Sequence, residues 1–260
     1  MTNKIYLEDY DLAPTQKRGV ISLLYKKGDK KSLDNWRPIT LLCADYKIIS
    51  KTIAARLRKY MGKLVHENQT CAVPGRDILS NLYVIRDVIT YSQRKDQNAF
   101  IVSYDFEKAF DSIDHDYLLR TLETMNFGPN YINFYRNTFT NRTAMVMNNG
   151  RFTLPISIDR GLIQGDPGSL PTYCLVAEPF ANKVRKNDRI IGMFVPGKKE
   201  QLKLSQYADD TESINADVSS VIETLGEFKK FEKATGCALN ADKTKGLMVL
   251  SSQSEITKEE

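Results

Sequence analysis

Histidine and cysteine, from which zinc sites and disulfide frameworks are built, are scarce in this sequence. The 260 residues include two histidines and four cysteines. The cysteines are far apart and form no Cys-x-x-Cys pair: Cys43, Cys71, Cys174 and Cys237. This spacing suggests neither a zinc site nor a disulfide framework. We therefore expect buried free thiols.

Long hydrophobic runs are also missing. No apolar stretch approaches the length needed to cross a bilayer, and the first residues, MTNKIYLEDYDLAP, lack the apolar core of a secretory signal. We expect an intracellular protein without a membrane span. The chain has no internal repeat, and its 42% hydrophobic and 27% charged residues predict one sizeable domain or two modest lobes.

The positive charge of the chain is unevenly distributed. The net charge is +5, but residues 17–63 contain thirteen lysines and arginines against three aspartates, a local balance of +10. The rest of the chain therefore carries −5. A basic half joined to an acidic half indicates that one surface binds a polyanion, while the carboxylates on the other surface have a different function. The alternative is a basic helix face that is only solvated.

The segment from Tyr46 to Met61 has helical periodicity. Its apolar residues recur at helical spacing and are Ile49, Ile53, Leu57 and Tyr60. Its basic residues Lys47, Lys51 and Arg58 fall along another face. We therefore predict a helix that carries a basic ridge.

A second helix is predicted from Ile78 to about Ile89. Asp77 is suited to cap its first turn. The apolar residues expected to face the core are Ile78, Leu82, Ile85 and Ile89.

The rest of the chain alternates between strand and helix patterns. An apolar strand from Ala99 to Tyr104 ends at Asp105, and Asn149-Gly150 suits a type I′ turn between two strands. The further predicted elements are a helix from about His115 to Asn126, a helix from about Leu170 to Val184, a strand from Leu202 to Ala208 with a return strand, a helix from Val218 to Ala234 between Asp217 and Gly236, and a strand near Leu247. This order predicts an α+β fold in which helices back an antiparallel sheet.

The run LSQYADDTESI places Asp209 and Asp210 side by side in a strand-like segment. Two carboxylates about 4 Å apart repel by roughly 4 kcal/mol at an effective dielectric constant of about 20, so a cation is expected between them. Asp105 can join the pair if its strand is a neighbour in the sheet, and Mg²⁺ prefers oxygen ligands of this kind. Because adjacent strand residues point to opposite faces, we expect Asp210 to be the less direct ligand. The alternative is a polar hairpin turn.

Four sequence blocks, in this order, resemble the palm of reverse transcriptases: SYDFEKAFDSIDH, RGLIQGDPGS, QYADD and TGCALNADKTK. The preceding stretches WRPITLLCADYKIISKTIAARL and HENQTCAVPGRDILSNLYVIRDVI are similar to the fingers of the non-LTR (LINE-type) retrotransposon branch. Group II intron and retron enzymes share the YADD box, but the long NWRPITLL and VPGRDILSN stretches favour the non-LTR branch. The resemblance covers residues 19–250.

The resemblance implies a right-hand polymerase fold with fingers and palm, and neither a thumb nor an endonuclease is expected. The implied domains are 1–98 for the fingers, 99–128 for the first part of the palm, 129–160 for a fingers hairpin, 161–250 for the second part of the palm and 251–260 for a flexible tail.

The resemblance also implies a metal site. Asp105, Asp209 and Asp210 match the metal-binding aspartates of the family, with the main-chain carbonyl of Phe106 as a further ligand. Two Mg²⁺ ions are implied, with Mn²⁺ as a substitute.

Nucleotide contacts are implied by position. Phe110 matches the bulky residue that excludes a ribose 2′-hydroxyl, although an ordinary core phenylalanine is the alternative. Gln164 matches a residue that lines the nucleotide pocket, and Gly165 permits close backbone approach. Arg37 matches the fingers arginine that packs over the incoming nucleotide and its triphosphate.

The lysines that match the family are less specific. Lys26 or Lys27 is a candidate for a second phosphate contact, and Lys243 for protonating the pyrophosphate leaving group. Ordinary surface lysines are the alternative explanation. The basic ridge of Lys47, Lys51 and Arg58 is expected to hold template backbone.

The implied function is that of an RNA-directed DNA polymerase, which adds dNTPs to a primer 3′-hydroxyl by two-metal catalysis. The expected partners are an RNA template, a DNA primer and dNTPs. The chain is expected to belong to a longer retroelement polyprotein in a ribonucleoprotein of the cytoplasm and nucleus. Two alternatives stay open, a catalytically weak nucleic-acid-binding relic and an RNA-directed RNA polymerase, although Phe110 and the QGDP box argue against the latter. Glu212 departs from the family pattern, which more often has a neutral residue there.

Overall fold

The structure is a computed structural model that describes residues 11–195 and 200–251, so most of the tail predicted at 251–260 lies outside the described residues. The helices are α1 (Pro14–Lys17), α2 (Ala44–Arg58), α3 (Met61–Leu64), α4 (Ile78–Lys95), α5 (Ala109–Ser112), α6 (His115–Thr124), α7 (Pro129–Phe139), α8 (Ser169–Lys186) and α9 (Val218–Thr235), with a 3-10 turn at Leu33–Asn35. The strands are β1 (Arg18–Tyr25), β2 (Trp36–Leu42), β3 (Ala99–Tyr104), β4 (Thr143–Asn148), β5 (Arg151–Phe152), β6 (Ile156–Ser157), β7 (Leu204–Tyr207), β8 (Asp210–Asn215) and β9 (Lys245–Val249).

The described chain divides into two compact units. Unit one contains residues 11–60 and 110–176, and unit two contains residues 61–109, 177–195 and 200–251. These limits differ from the domain boundaries implied by the resemblance. The assignment of residues to fingers and palm stays a prediction.

Unit one is built on a five-stranded sheet. β1 lies between β2, with which it is antiparallel, and β4, with which it is parallel; β5 and β6 both pair with β4. The helix α2 buries Ile49, Ile53 and Leu57, as predicted. Tyr60 lies beyond the end of this helix and is 59% exposed, so its predicted place on the apolar face was wrong.

Unit two is built on a four-stranded antiparallel sheet in the order β7-β8-β3-β9. On one face, Val88 of α4 belongs to a buried cluster with Ile101 of β3 and Ile214 of β8. On the other face, Tyr104 of β3 packs against Phe228 of α9 with ring centroids 4.1 Å apart. The predicted α+β fold with an antiparallel sheet backed by helices is confirmed.

Several local predictions are confirmed by side-chain and backbone geometry. The carboxylates of Asp77 and Asp217 cap α4 and α9 by accepting hydrogen bonds from the main-chain N–H groups three residues ahead. Asn149 and Gly150 both have positive φ, 49° and 74°, as a type I′ turn requires. Gly236 ends α9 with φ 81°.

The predicted buried face of α4 was right in its second half, where Ile85 and Ile89 pack against the buried cluster of unit two, and wrong in its first half. Ile78 and Leu82 are 45% and 58% exposed, whereas Asn81 and Val88 are buried. The side-chain amide of Asn81 donates to the Ser205 hydroxyl at 2.8 Å and to the Gln206 carbonyl at 3.0 Å, and these hydrogen bonds offset the cost of burying it. The spacing of apolar residues alone could not predict that a polar side chain would be buried while two apolar side chains are exposed.

Two further sequence predictions concern the state of the cysteines and the length of the apolar segments. All four cysteines are free thiols, and three of them are buried, whereas Cys43 is half-buried. No helix within residues 11–195 and 200–251 combines the length and the apolar character that crossing a bilayer requires.

Candidate active site

The register of β3 and β8 brings the acidic ends of two strands together. Tyr104, the last residue of β3, pairs with Thr211, the second residue of β8. Asp105 follows Tyr104 and Asp210 precedes Thr211, so extending the register by one residue sets Asp105 opposite Asp210. Residues that lie opposite each other share a face of the sheet.

Asp209 lies in the turn that joins β7 to β8. Tyr207 pairs with Asp210, which leaves Ala208 and Asp209 as the loop. Ala208 has φ 55°, in the left-handed region that side-chain-bearing residues rarely adopt. The turn therefore interrupts the strand alternation between Asp209 and Asp210.

The acidic residues at this strand end interact through their charges. Partial burial, and then the negative charge of Asp105, raise the pKa of Asp210. Burial, and then the charge of Asp210, raise the pKa of Glu212, while a hydrogen bond with the Ser205 side chain lowers it. The charge of Asp105 therefore disfavours the charged form of Asp210, and the charge of Asp210 disfavours that of Glu212, whereas a nearby cation would favour both charged forms.

Asp105 has one carboxylate oxygen that is poorly satisfied. Its Oδ2 is buried and accepts no hydrogen bond from the described residues, although Nζ of Lys243 lies 3.4 Å away in an ion pair. The main-chain carbonyl of Asp105 accepts a 2.8 Å hydrogen bond from the N–H of Asn240, whose own carbonyl accepts from the N–H of Thr244 at 3.0 Å. The turn that carries Lys243 is thus anchored on Asp105.

Phe106, the predicted source of a carbonyl ligand, continues the chain from Asp105. Its main chain forms an isolated antiparallel bridge with Leu239. Its ring packs against Phe228 and Phe231 of α9, with centroids 5.7 and 6.0 Å apart. These contacts fix the backbone that follows Asp105.

The oxygen ligands of Asp105 and Asp210 are of the chemical kind that a hard divalent cation prefers. Asp105 and Asp210 supply neighbouring carboxylates of which one oxygen is buried without a hydrogen bond, and Mg²⁺ takes oxygen ligands together with water. In the part of the chain that the structure describes, no group of three or more His, Cys, Asp or Glu side chains is arranged to hold a metal ion.

Phe110 lies in unit one, where its ring stacks on that of Tyr173. The centroids are 4.6 Å apart and the planes differ by 24°. The carbonyl of Phe110 accepts a 2.7 Å hydrogen bond from the N–H of Leu162. This ring is therefore restrained by packing on one face and by its own main chain.

Gln164 and Gly165 also lie in unit one, against strand β2. The N–H of Thr40 donates to the carbonyl of Gln164 at 2.9 Å. Gly165 has φ 113°, and a Cβ added there would lie 2.6 Å from the carbonyl oxygen of Thr40. The close backbone approach expected at Gly165 is made to Thr40, and only glycine fits it. Nε2 of Gln164 lies 3.4 Å from both carboxylate oxygens of Asp111.

Asp166 adjoins this glycine and is buried in a polar network. Burial raises the pKa of Asp166, while a hydrogen bond with Ser50 of α2 and the charge of Arg142 lower it. The hydroxyl of Ser169, the first residue of α8, donates to Oδ2 of Asp166 at 3.3 Å. Arg142 is 3% exposed, and its guanidinium lies 5.3 Å from the ring centroid of Tyr46.

The predicted basic contacts are exposed residues of unit one. Arg37 lies on β2, and Lys26 and Lys27 lie in the connection from β1 to β2. The ridge residues are all exposed on α2: Lys47, Lys51 and Arg58. Within unit two, the structure brings together Asp105, Asp210 and Lys243 at the turn that carries Asp209.

The sequence profile of the reverse transcriptase (RNA-dependent DNA polymerase) family matches residues 25–258. The chain belongs to the reverse transcriptase family.

Relatives of this reverse transcriptase domain include retrotransposon proteins. The chain is 35% identical over 232 residues to the Transposon TX1 uncharacterized 149 kDa protein of Xenopus laevis, a match that spans 89% of the chain and 18% of that protein. It is 25% identical over 233 residues to a Retrovirus-related Pol polyprotein from type-1 retrotransposable element R2 of Popillia japonica, spanning 89% of the chain and 32% of that protein. The chain thus spans under a third of each relative, and its resemblance to the non-LTR branch is confirmed.

Solved telomerase structures share the fold of this reverse transcriptase domain. The apo telomerase of Candida tropicalis truncated from its C-terminal domain aligns over 94% of the chain and 53% of its own, with a TM-score of 0.66 and 13% identity. The telomerase of Candida albicans in complex with a TWJ fragment of telomeric RNA aligns over 97% of the chain and 45% of its own, with a TM-score of 0.65 and 13% identity.

One side chain at the acidic turn was missed by the sequence analysis of this reverse transcriptase domain. Gln69 is 1% exposed, and its amide is hydrogen-bonded to the main chain of Ala208, 139 residues away. Gln69 lies outside the regular helices and strands. No local pattern marks it, because its partner is set by tertiary structure.

Proposed function

We propose that this reverse transcriptase domain catalyses RNA-directed DNA synthesis and that Asp105, Asp209 and Asp210 are its metal-binding carboxylates. The observation that carries the proposal is the pairing of Tyr104 with Thr211, since it joins two acidic motifs more than 100 residues apart in sequence. The buried Oδ2 of Asp105, which accepts no hydrogen bond from the described residues, supports the same assignment.

The proposed cofactors are two Mg²⁺ ions, for which Mn²⁺ can substitute. When bound, they would supply activation of the primer 3′-hydroxyl and stabilisation of the charge on the departing pyrophosphate. The three aspartates would hold them, with the main-chain carbonyl of Phe106 as a further ligand. Lys243, whose Nζ lies 3.4 Å from Oδ2 of Asp105, would donate a proton to the leaving pyrophosphate oxygen.

The proposed substrates are an RNA template, a DNA primer and dNTPs. Phe110 would exclude a ribose 2′-hydroxyl, and its stacking on Tyr173 supports this role because the ring has little freedom to move aside. Gln164 would line the nucleotide pocket, with Gly165 shaping its backbone. The proposed phosphate contacts are Arg37 for the triphosphate, Lys26 or Lys27 for a second phosphate, and Lys47, Lys51 and Arg58 for the template backbone.

Primer extension tests this proposal. The purified chain is expected to extend oligo(dT) on poly(rA) with dTTP and Mg²⁺, and Asp209→Asn or Asp105→Asn is expected to lower the rate by about 100-fold or more. The matched control is Asp87→Asn, because Asp87 is an exposed carboxylate of α4 whose ion pair is with the adjacent Arg86. The rate of this variant is expected to stay near wild type.

Two outcomes would count against the proposal. A folded wild-type chain that makes no product in Mg²⁺ or Mn²⁺ would rule out the polymerase activity for this chain. Equal use of rUTP and dTTP would overturn the role of Phe110 and leave the aspartate assignment standing.

Chelation of the divalent metal ions with EDTA is expected to abolish DNA synthesis.

A further inference from the structure

The segment that precedes α4 in unit two forms a short parallel bridge beside β7. The N–H of Gln206 donates to the carbonyl of Asn68 at 2.8 Å, and the N–H of Thr70 donates to the carbonyl of Gln206 at 3.0 Å. Gln69 is the residue bridged to Gln206. The side chain of Gln69 therefore begins within reach of the end of β7.

The amide of Gln69 makes a two-point contact with Ala208. Its Oε1 accepts the N–H of Ala208 at 3.0 Å, and its Nε2 donates to the carbonyl of Ala208 at 3.3 Å. The same Oε1 accepts the N–H of Cys71 at 3.0 Å, which fixes the amide from its own segment. One side chain thus supplies both hydrogen bonds that a neighbouring strand would supply.

Ala208 needs such a partner. It is 6% exposed and has φ 55°, so its peptide groups are withdrawn from water in a backbone conformation that alanine disfavours. Buried N–H and C=O groups are stable only when they are paired. Gln69 satisfies both groups of Ala208 and holds its unusual φ.

The backbone of Ala208 determines where the next residue points. Asp209 follows it directly in the two-residue turn, and Asp210 pairs with Tyr207 at the other end of the turn. A change in the backbone angles of Ala208 would reorient the Asp209 side chain first. We infer that Gln69 is a positioning residue that fixes the acidic turn of this polymerase by clamping both backbone groups of Ala208.

The test compares Gln69→Leu with a matched variant, Asn68→Leu, in the full chain. Asn68 also donates a side-chain hydrogen bond to β7, to the carbonyl of Leu204 at 2.7 Å, but that bond is four residues from Ala208. Both variants are expected to lower Tm by several degrees. Gln69→Met serves as a second variant of similar length if Gln69→Leu does not fold.

The first measurement is hydrogen exchange of peptides that cover residues 204–215. Gln69→Leu is expected to speed exchange at the acidic turn by about tenfold or more, whereas Asn68→Leu is expected to affect only the start of β7. This measurement does not depend on metal binding or activity. Equal protection of the turn in the two variants would overturn the inference.

The second measurement, which rests on the proposed function, follows Mn²⁺ affinity and steady-state primer extension. Gln69→Leu is expected to weaken Mn²⁺ binding about tenfold and to lower kcat about 100-fold with little change in KM for the template–primer, while Asn68→Leu stays near wild type. An equal effect of both variants on kcat would show that Gln69 only stabilises the fold and does not position the acidic turn. If the wild type neither binds Mn²⁺ nor extends a primer, the proposed function fails, and the exchange result still decides the role of Gln69.

Discussion

Gly165 and Gly226 differ in the space that is available for an added Cβ atom. A Cβ at Gly165 would meet the carbonyl oxygen of Thr40 at 2.6 Å, and its φ of 113° suits only glycine. A Cβ at Gly226, inside α9, would have no neighbouring atom within 4 Å. The same substitution should therefore have opposite effects at the two positions.

Gly165→Ala is expected to lower the free energy of unfolding by about 1–3 kcal/mol, because the added methyl group forces apart two backbone segments. Gly226→Ala is expected to raise it by about 0.5–1 kcal/mol, because alanine has a higher helix propensity than glycine and the added methyl group meets no other atom. Urea unfolding followed by circular dichroism measures both. A Gly165→Ala chain as stable as the wild type would contradict the close approach to Thr40.

The positions of candidate site residues could be predicted from the sequence where a short local motif contains them. The neighbouring acids at 209 and 210 identified the turn, and Asp105 could be placed at a strand end because Ala99–Tyr104 is a continuous apolar run. Gln69 could not be found in this way, because the hydrogen bonds of its amide cross 139 residues and follow no periodicity.

Among the elements, those with local start and stop signals were predicted best. β3 and α9 were predicted within a residue of their observed bounds. The limits of α9 are set locally, by the capping carboxylate of Asp217 and by the left-handed backbone of Gly236. The helix α7, which begins at Pro129, was not predicted, because glycine and proline are typical of a helix end as well as of a helix start. On α4, Ile85 and Ile89 pack against the core as predicted. Ile78 and Leu82 are exposed instead, because hydrogen bonds hold Asn81 inward in the first half of the helix.

The contact of α2 with α8 through Asp166 gives a dependence of stability on pH. Burial raises the folded-state pKa of Asp166 above that in the unfolded chain, so the folded state binds this proton more tightly. The contribution of Asp166 to stability is therefore greatest at low pH and is lost as pH rises through its folded pKa. Asp166→Asn removes this titration while keeping the side-chain shape.

The stability difference between wild type and Asp166→Asn is expected to shift in favour of the variant as pH rises from about 4 to about 7. Urea unfolding at several pH values measures this difference. Asp116→Asn, which also removes one carboxylate but at an exposed position of α6, is the control for the loss of a single negative charge. A difference that is independent of pH would show that Asp166 does not titrate differently on folding.

Across the whole molecule, charge is segregated along the sequence. Residues 17–63 carry a balance of +10 within a chain of net charge +5. Neutralising the ridge with Lys47→Gln, Lys51→Gln and Arg58→Gln is expected to weaken RNA binding at low salt and to reduce the slope of log K against log salt by about 2. Fluorescence anisotropy with a labelled RNA at several salt concentrations measures this slope.

The matched control replaces three exposed lysines of unit two by glutamine: Lys186, Lys229 and Lys233. It removes the same charge from helices outside the ridge, so its slope should stay near wild type. An equal loss of slope in both triple variants would mean that RNA responds to net charge and that the ridge is not a binding surface.

The order β7-β8-β3-β9 makes the last described strand a structural neighbour of the strand that leads to Asp105. A fragment trimmed after the NADK motif would leave β3 with an open edge on that side, where unpaired N–H and C=O groups invite pairing with other chains. The smallest fragment that keeps both neighbours of β3 in this sheet must therefore extend at least to Val249.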